Sequence, residues 1–338
     1  MTRFLIVRLG ALGDVVHGVP VAAALRAHFP QAAIDWLVSP AYVELLQLVE
    51  GLDRVIPIDP RRRGGGAGRV RFRDTIRDLR AQHYDAAFDL QGLLKSALLA
   101  RSAGADVTVG FARGHARESL ATAFYTRAVD PGEATHVVYK NLELLRAVHV
   151  DDRRVRFPLR VPETATASAV FERWPRRQFA LLNPGAAWPN KRWPANRFGA
   201  LAAAIAKAFG WRSLVLWGPG EEDLAAAVVG ASGGAAEQAP ATSLTDMLAL
   251  AQGARVMVAG DTGPLHIGGA VGTPLVSLFG PTRAERNGPW GLYDIAVSRT
   301  DRCQCLYKRS CSQCTPCIDD ISVPEVLDAV TRRVAERG

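Results

Sequence analysis

The chain has 338 residues, 48% of them hydrophobic, and a formal net charge of +8. Its length exceeds the ~250–300 residues at which a single core stops growing, so two domains are expected, and no apolar run approaches the ~20 residues that span a bilayer. The excess charge points to acidic partners (nucleic acid, phosphorylated substrates or an anionic membrane face), while five cysteines confined to 303–317 exclude a disulfide-stapled secreted domain.

In chain order, the first strong element is FLIVRL (4–9). Arg8 interrupts it, and it passes directly into Gly10-x-x-Gly13-Asp14, so it reads as a first β-strand rather than an export signal, in a cytosolic chain. Further strands are expected at AIDWLV (33–38), RVIPID (54–59), AAFDLQ (86–91) and VTVGF (107–111), with helical stretches such as VAAALRAHF and AYVELLQLVE between them. Such alternation implies a parallel sheet covered on both faces. The segment RRRGGGAGRVRFR (61–73) reads as an exposed arginine loop leading into a helix.

The pattern lapses over 151–178 into charged, proline-bearing sequence and restarts at FALLNPG (179–185), SLVLWG (213–218), RVMVAGD (255–261) and PLVSLFG (274–280). This places one α/β domain at 1–165 and a second at 166–322. The amphipathic segment 323–338 forms a last helix starting near Pro324.

Each motif admits a structural and a functional reading. Gly10 and Gly13 permit a tight turn after strand one, but G-x-G-x-x-G is absent, and an acid at the helix start would repel a pyrophosphate. Asp14 is either a first-turn acid favoured by the helix dipole or a catalytic carboxylate. In the second glycine turn, Asp261 ends a strand, Thr262 can cap the next helix, Gly263 permits close approach, and His266 lies one turn on. That suits either a phosphate site or a capped helix without ligand. Lys191 could neutralise a diphosphate or simply be solvated. Glu222 could accept hydrogen bonds from a ribose or serve as a helix-start acid. Cys303, Cys305, Cys311, Cys314 and Cys317 have spacings used for a structural metal, although free or oxidised thiols fit as well.

Together, Gly-x-x-Gly-Asp, FDLQGLLKSALLA (88–100), NPGAAWPNKRWP and GDTGPLHIGGAVGTPLVSLFGPT resemble the lipopolysaccharide heptosyltransferases of glycosyltransferase family 9. Gln91-Gly92, Lys95-Ser96 and ARESLATAFY are most similar to heptosyltransferase I, whereas NPGAAWPNKRWP is nearer the general or heptosyltransferase II pattern. The resemblance implies an α/β GT-B architecture, with two Rossmann-like domains whose parallel sheets face across a cleft and a final helix returning to the N-terminal domain. It implies inverting transfer from ADP-L-glycero-D-manno-heptose to Kdo-lipid A, without a catalytic metal or other cofactor. The enzyme would sit peripherally at the cytoplasmic face of the inner membrane, with no nucleic-acid partner.

By the same resemblance, Asp14 matches the catalytic base. Lys191, Glu222, Asp261, Thr262, Gly263 and His266 match donor contacts. Independently of the resemblance, the basic side chains of Arg61, Arg62, Arg63, Lys95, Arg113 and Arg117 could gather an anionic acceptor, with Gly10 and Gly13 on the same side, or the arginine loop could simply be solvated. Two departures stand out: Ala186 and Ala187 replace hydroxyl residues before the lysine, and the cysteine-rich tail is foreign to the best-known heptosyltransferases I. A heptosyltransferase II-like activity or another sugar or acceptor is the nearest alternative. An NAD-dependent oxidoreductase would require the missing glycine fingerprint. A non-catalytic lipopolysaccharide- or nucleic-acid-binding protein would leave Asp14 and the second glycine turn idle.

Overall fold

The computed structural model describes residues 1–59, 66–313 and 315–336, with backbone only for 66–71. It divides into two compact units, Met1–Arg160 and Val161–Gly338.

The first unit holds β1 (Arg3–Val7), β2 (Ala33–Val38), β3 (Arg54–Pro57), β4 (Ala86–Asp89), β5 (Val107–Phe111) and β6 (Arg127–Val129). All pairings are parallel, in the order β3-β2-β1-β4-β5-β6. The second unit holds β7 (Phe179–Asn183), β8 (Arg212–Val215), β9 (Ala236–Gln238), β10 (Val256–Gly260), β11 (Leu275–Phe279) and β12 (Ile295–Ser298). Its order, β12-β11-β10-β7-β8-β9, is again parallel throughout. Counted from its own first strand, each sheet therefore runs 3-2-1-4-5-6, the doubly wound order of dinucleotide-binding folds. In such sheets, ligands bind beyond the C-terminal ends of the two central strands, where the order reverses. Those strands are β1 and β4 in one unit, and β7 and β10 in the other. Every residue of β4, β7, β10 and β11 is buried, including Asp89, Asn183 and Ser277, as strands covered on both faces require.

The central strands lie where the sequence places them. The sequence reading misses β6, β9 and β12, and all three are sheet edges. An edge strand has one neighbour and partial exposure, so its residues need not be uniformly apolar and its signal is weak. The arginine segment also differs from expectation. Backbone helix begins at Gly66 and runs to Ala81, so Arg69, Arg71 and Arg73 are helical rather than in a loop. Phe72, Ile76 and Leu79 recur at helical spacing and pack on the first unit's core, which outweighs the local glycines. Arg61, Arg62 and Arg63 lie outside the described residues.

The last helix, Val323–Ala335, starts as expected, with Pro324 in its first turn and the Ser322 hydroxyl accepting from Glu325 N. Its apolar face packs within the second unit. Val326, Ala329 and Val330 are buried with Phe198, Leu201 and Ile205 in the second unit's core. Arg333–Asp294 (2.7 Å) and Arg299–Glu325 (2.5 Å) ion pairs fasten it there.

Candidate active site

In the second unit, the turns after β7, β10 and β11 converge on one buried carboxylate. Asp261 directly follows β10, and its side chain is only 5% exposed. A charge so placed must be paired. Its Oδ2 accepts from Lys191 Nζ at 2.6 Å, Thr282 Oγ1 at 2.7 Å and Asn287 Nδ2 at 3.5 Å, while Oδ1 lies 3.4 Å from His266 Nε2. Burial pushes this carboxyl up, but the His266 hydrogen bond and the Lys191 charge outweigh it, holding the group well below the usual carboxylate range. It is an anion at any physiological pH.

Lys191 comes from a single 3₁₀ turn, Pro189–Lys191, and its ammonium also lies 4.5 Å from the centre of the Trp188 ring. His266 lies in the helix Gly263–Ala270, and its ring stacks loosely on Trp290 at 6.4 Å. Thr262 does not cap that helix as the sequence suggests. It makes no side-chain cap bond and instead accepts from Asn183 Nδ2 at 3.4 Å. Asn183 also donates to Gly185 O at 3.0 Å, tying the β7 turn to the β10 turn. The helix therefore presents its first-turn amides, at the positive end of its dipole, beside a lysine and a histidine. Asp261 itself would repel an anion, and its geometry suits it to aiming Lys191 and His266.

Glu222 is exposed at the first position of the helix Glu222–Gly230. Its neighbour Glu221, which the sequence reading passed over, is the acid that turns inward. Glu221 Oε2 accepts from Gly218 N at 3.1 Å, and Oε1 lies 3.5 Å from Arg192 Nη2. A Cβ on Gly185 would stand 2.1 Å from this carboxylate, which would have to swing aside to admit it.

In the first unit, Asp14 occupies the third position of the short helix Leu12–Val16. Its Oδ2 accepts from Ala11 N at 3.3 Å, and Oδ1 pairs with Arg8 Nη2 at 2.6 Å. The structural reading of Asp14 is therefore real, yet the side chain remains 28% exposed and open to a ligand. Arg8 is 4% exposed and also donates to Leu90 O. Read in the sequence only as an interruption of an apolar run, it is what holds Asp14. Gln91 Oε1 accepts from Leu9 N at 3.0 Å and joins the β1 and β4 turns. Gly10 and Gly13 lie in that turn.

Asp89, fully buried at the end of β4, receives Gln91 N, Ser96 Oγ and Tyr125 OH at 2.8–2.9 Å and shapes the start of the helix Leu94–Ser102. Burial pushes its carboxyl up, against these hydrogen bonds. Gly92 has φ +67°, and a Cβ there would lie 3.0 Å from Arg117 N. Lys95, Arg113 and Arg117 are all exposed along this rim.

The cysteine segment packs on the turns after β11 and β7: Tyr307 N donates to Pro281 O at 2.7 Å and Asn190 Nδ2 to Lys308 O at 3.0 Å. Cys305 and Cys311 sulfurs are 3.2 Å apart. Hydrogen bonds from Ser312 draw Cys305 down to about 7, whereas burial and Cys303 push Cys317 up to about 12. Cys314 lies outside the described residues. Among those described, no three cysteine, histidine or acidic side chains form a metal cage.

Two Rossmann-like units, each with paired charged side chains at the turn of its switch point, make the α/β architecture of the GT-B fold. The fold is shared with E. coli heptosyltransferase WaaC solved with ADP (TM-score 0.80, 24% identity, 98% of this chain and 100% of that one) and with E. coli ADP-heptose lipopolysaccharide heptosyltransferase II (TM-score 0.77, 22% identity, 99% of each). In sequence, the chain is 31% identical over 326 residues to lipopolysaccharide heptosyltransferase 1 of Pseudomonas aeruginosa, covering 92% of this chain and 87% of that protein. The glycosyltransferase family 9 (heptosyltransferase) model matches residues 72–315. The chain belongs to glycosyltransferase family 9.

Proposed function

We propose that this enzyme transfers heptose from ADP-L-glycero-D-manno-heptose to Kdo-lipid A with inversion, at the cytoplasmic face of the inner membrane. The observation that carries the reading is the donor turn. Lys191 and His266 are held by Asp261 beside the first amides of Gly263–Ala270, at the switch point of a Rossmann sheet. As the acceptor oxygen bonds to the anomeric carbon, the bond to ADP breaks and negative charge gathers on the departing diphosphate. Lys191 and the helix amides offset that charge, so no metal is called for. Asp14 takes the acceptor's hydroxyl proton, and Arg8 fixes the carboxylate's orientation. Thr262 and Gly263 line the donor turn, Glu222 remains the candidate ribose contact, and Glu221 is a second. Gly10, Gly13, Lys95, Arg113 and Arg117 belong to the acceptor side, together with Arg61, Arg62 and Arg63.

The test is incubation with ADP-heptose and Kdo-lipid A, followed by mass analysis of the lipid. A gain of one heptose is expected. Asp14→Asn should lower turnover by about 10²–10⁴ while ADP affinity is unchanged; wild-type turnover in that variant would remove Asp14 from the chemistry. ADP, and not NAD, should raise the melting temperature.

A further inference from the structure

Three leucines of the first unit face water on two packed elements. Along the helix Leu94–Ser102, one side buries Ser96, Ala97, Leu99 and Ala100, while Leu94 and Leu98 are 41% and 38% exposed. Leu120, on the 3₁₀ turn Ser119–Phe124, is 68% exposed, and that turn packs against the same helix. The two segments are stitched at their start: Glu118 N donates to Gly92 O at 2.9 Å and Leu94 N to Glu118 Oε2 at 2.7 Å.

Single exposed leucines are ordinary, but apolar groups gathered on adjoining elements mark a contact surface. The charges around them indicate which kind. Residues 94–102 and 113–120 contain Lys95, Arg101, Arg113 and Arg117 against a single carboxylate, Glu118, which is already engaged by Leu94 N. All four cations are exposed. Along the helix the exposed positions run 94, 95, 98 and 101, one stripe in which two leucines alternate with two cations. Leucines flanked by long basic side chains suit the boundary of an anionic bilayer, with the apolar groups entering the acyl edge while the cations stay at headgroup level. No helix among the described residues is long and apolar enough to cross a membrane, so such a contact would be peripheral.

We infer that the face carrying Leu94, Leu98 and Leu120, ringed by Lys95, Arg101, Arg113 and Arg117, docks on an acidic phospholipid bilayer. The inference rests on the reading that the acceptor is a membrane lipid, and it assigns the surface that meets that membrane. Because exposed charges act over a Debye length of about 10 Å at 0.1 M salt, docking should weaken as salt rises.

The experiment is co-sedimentation of the full chain with phosphatidylethanolamine vesicles, with and without phosphatidylglycerol, and with no lipopolysaccharide present. The wild type should sediment with the acidic vesicles and come off with added sodium chloride. The double variant Leu98→Gln/Leu120→Gln should partition at least about tenfold less. Leu292→Gln, at an 87% exposed leucine of the second unit, should bind as wild type. Transfer to a de-acylated, water-soluble acceptor should persist in the double variant. Wild-type vesicle binding by the double variant overturns the proposal, as does binding indifferent to lipid charge. A wild-type dimer in sedimentation that the double variant loses would also overturn it, because the face would then join two copies. Vesicle binding without any transfer to the soluble acceptor would count against the proposed reaction alone.

Discussion

Replacing Asp261 with Asn tests the electrostatic account of the donor turn. The substitution keeps the side chain's shape and the hydrogen bond from Thr282 Oγ1, but removes the negative charge facing Lys191 and His266. Lys191 Nζ and Asp261 Oδ2 are 2.6 Å apart, with side chains only 14% and 5% exposed. Stripping one partner from a buried pair costs about 3–5 kcal/mol. Lys191 is not fully enclosed and can turn partly towards water, which brings the expected loss to about 2–3 kcal/mol. For a unit of this size, each kcal/mol shifts the melting temperature by about 2–4 °C, so a fall of about 4–12 °C is expected. Urea unfolding followed by tryptophan fluorescence reads the right unit, because of seven tryptophans only Trp36 lies in the first. Adding Lys191→Met should recover part of the loss, since the stranded cation is then gone. An Asp261→Asn midpoint equal to wild type would refute the argument that this carboxylate is a buried, charge-paired anchor.

Gly185→Ala should displace the Glu221 carboxylate and cost about 0.5–1.5 kcal/mol through its lost hydrogen bond from Gly218 N, and should cost less in a Glu221→Ala background, both read by thermal unfolding. Tyr125→Phe removes a donor from buried Asp89 and should cost about 1.5–3 kcal/mol, with a chemically melted first unit as the readout. Hydrogen bonding from Arg154 holds Asp152 down to about 2, below its ordinary 3.8. Its contribution to stability is therefore complete above the ordinary value and disappears as pH falls from about 4 to 2. Urea midpoints measured across that window should fall less steeply in Asp152→Asn than in wild type.

Much of this protein is legible from the chain alone. Interior strands such as AIDWLV, apolar but for Asp35, and VMVAG are wholly buried because both their faces are covered, so they stand out in the sequence, as does the turn after each. Their alternation with helical segments already implies parallel sheets, and the glycine turns already mark the sheet edge where ligands bind. Edge strands such as Arg127–Val129 escape because a strand with one neighbour need not be apolar. Glu221 rather than Glu222 facing Gly185 is equally invisible, since adjacent acids at a helix start differ only in the direction the backbone gives them.

What the sequence determined by itself is the kind of sheet and the positions of the two turns, because these follow from local periodicity and from residues with restricted backbone freedom. What only the tertiary structure decided is which charges meet. Lys191 reaching Asp261 joins two turns 70 residues apart, and no local pattern encodes such a partner. The last helix illustrates the same division. Its amphipathic face is plain in the sequence, but the choice of core to cover depends on which complementary surface the rest of the chain leaves open, and here that surface belongs to the second unit.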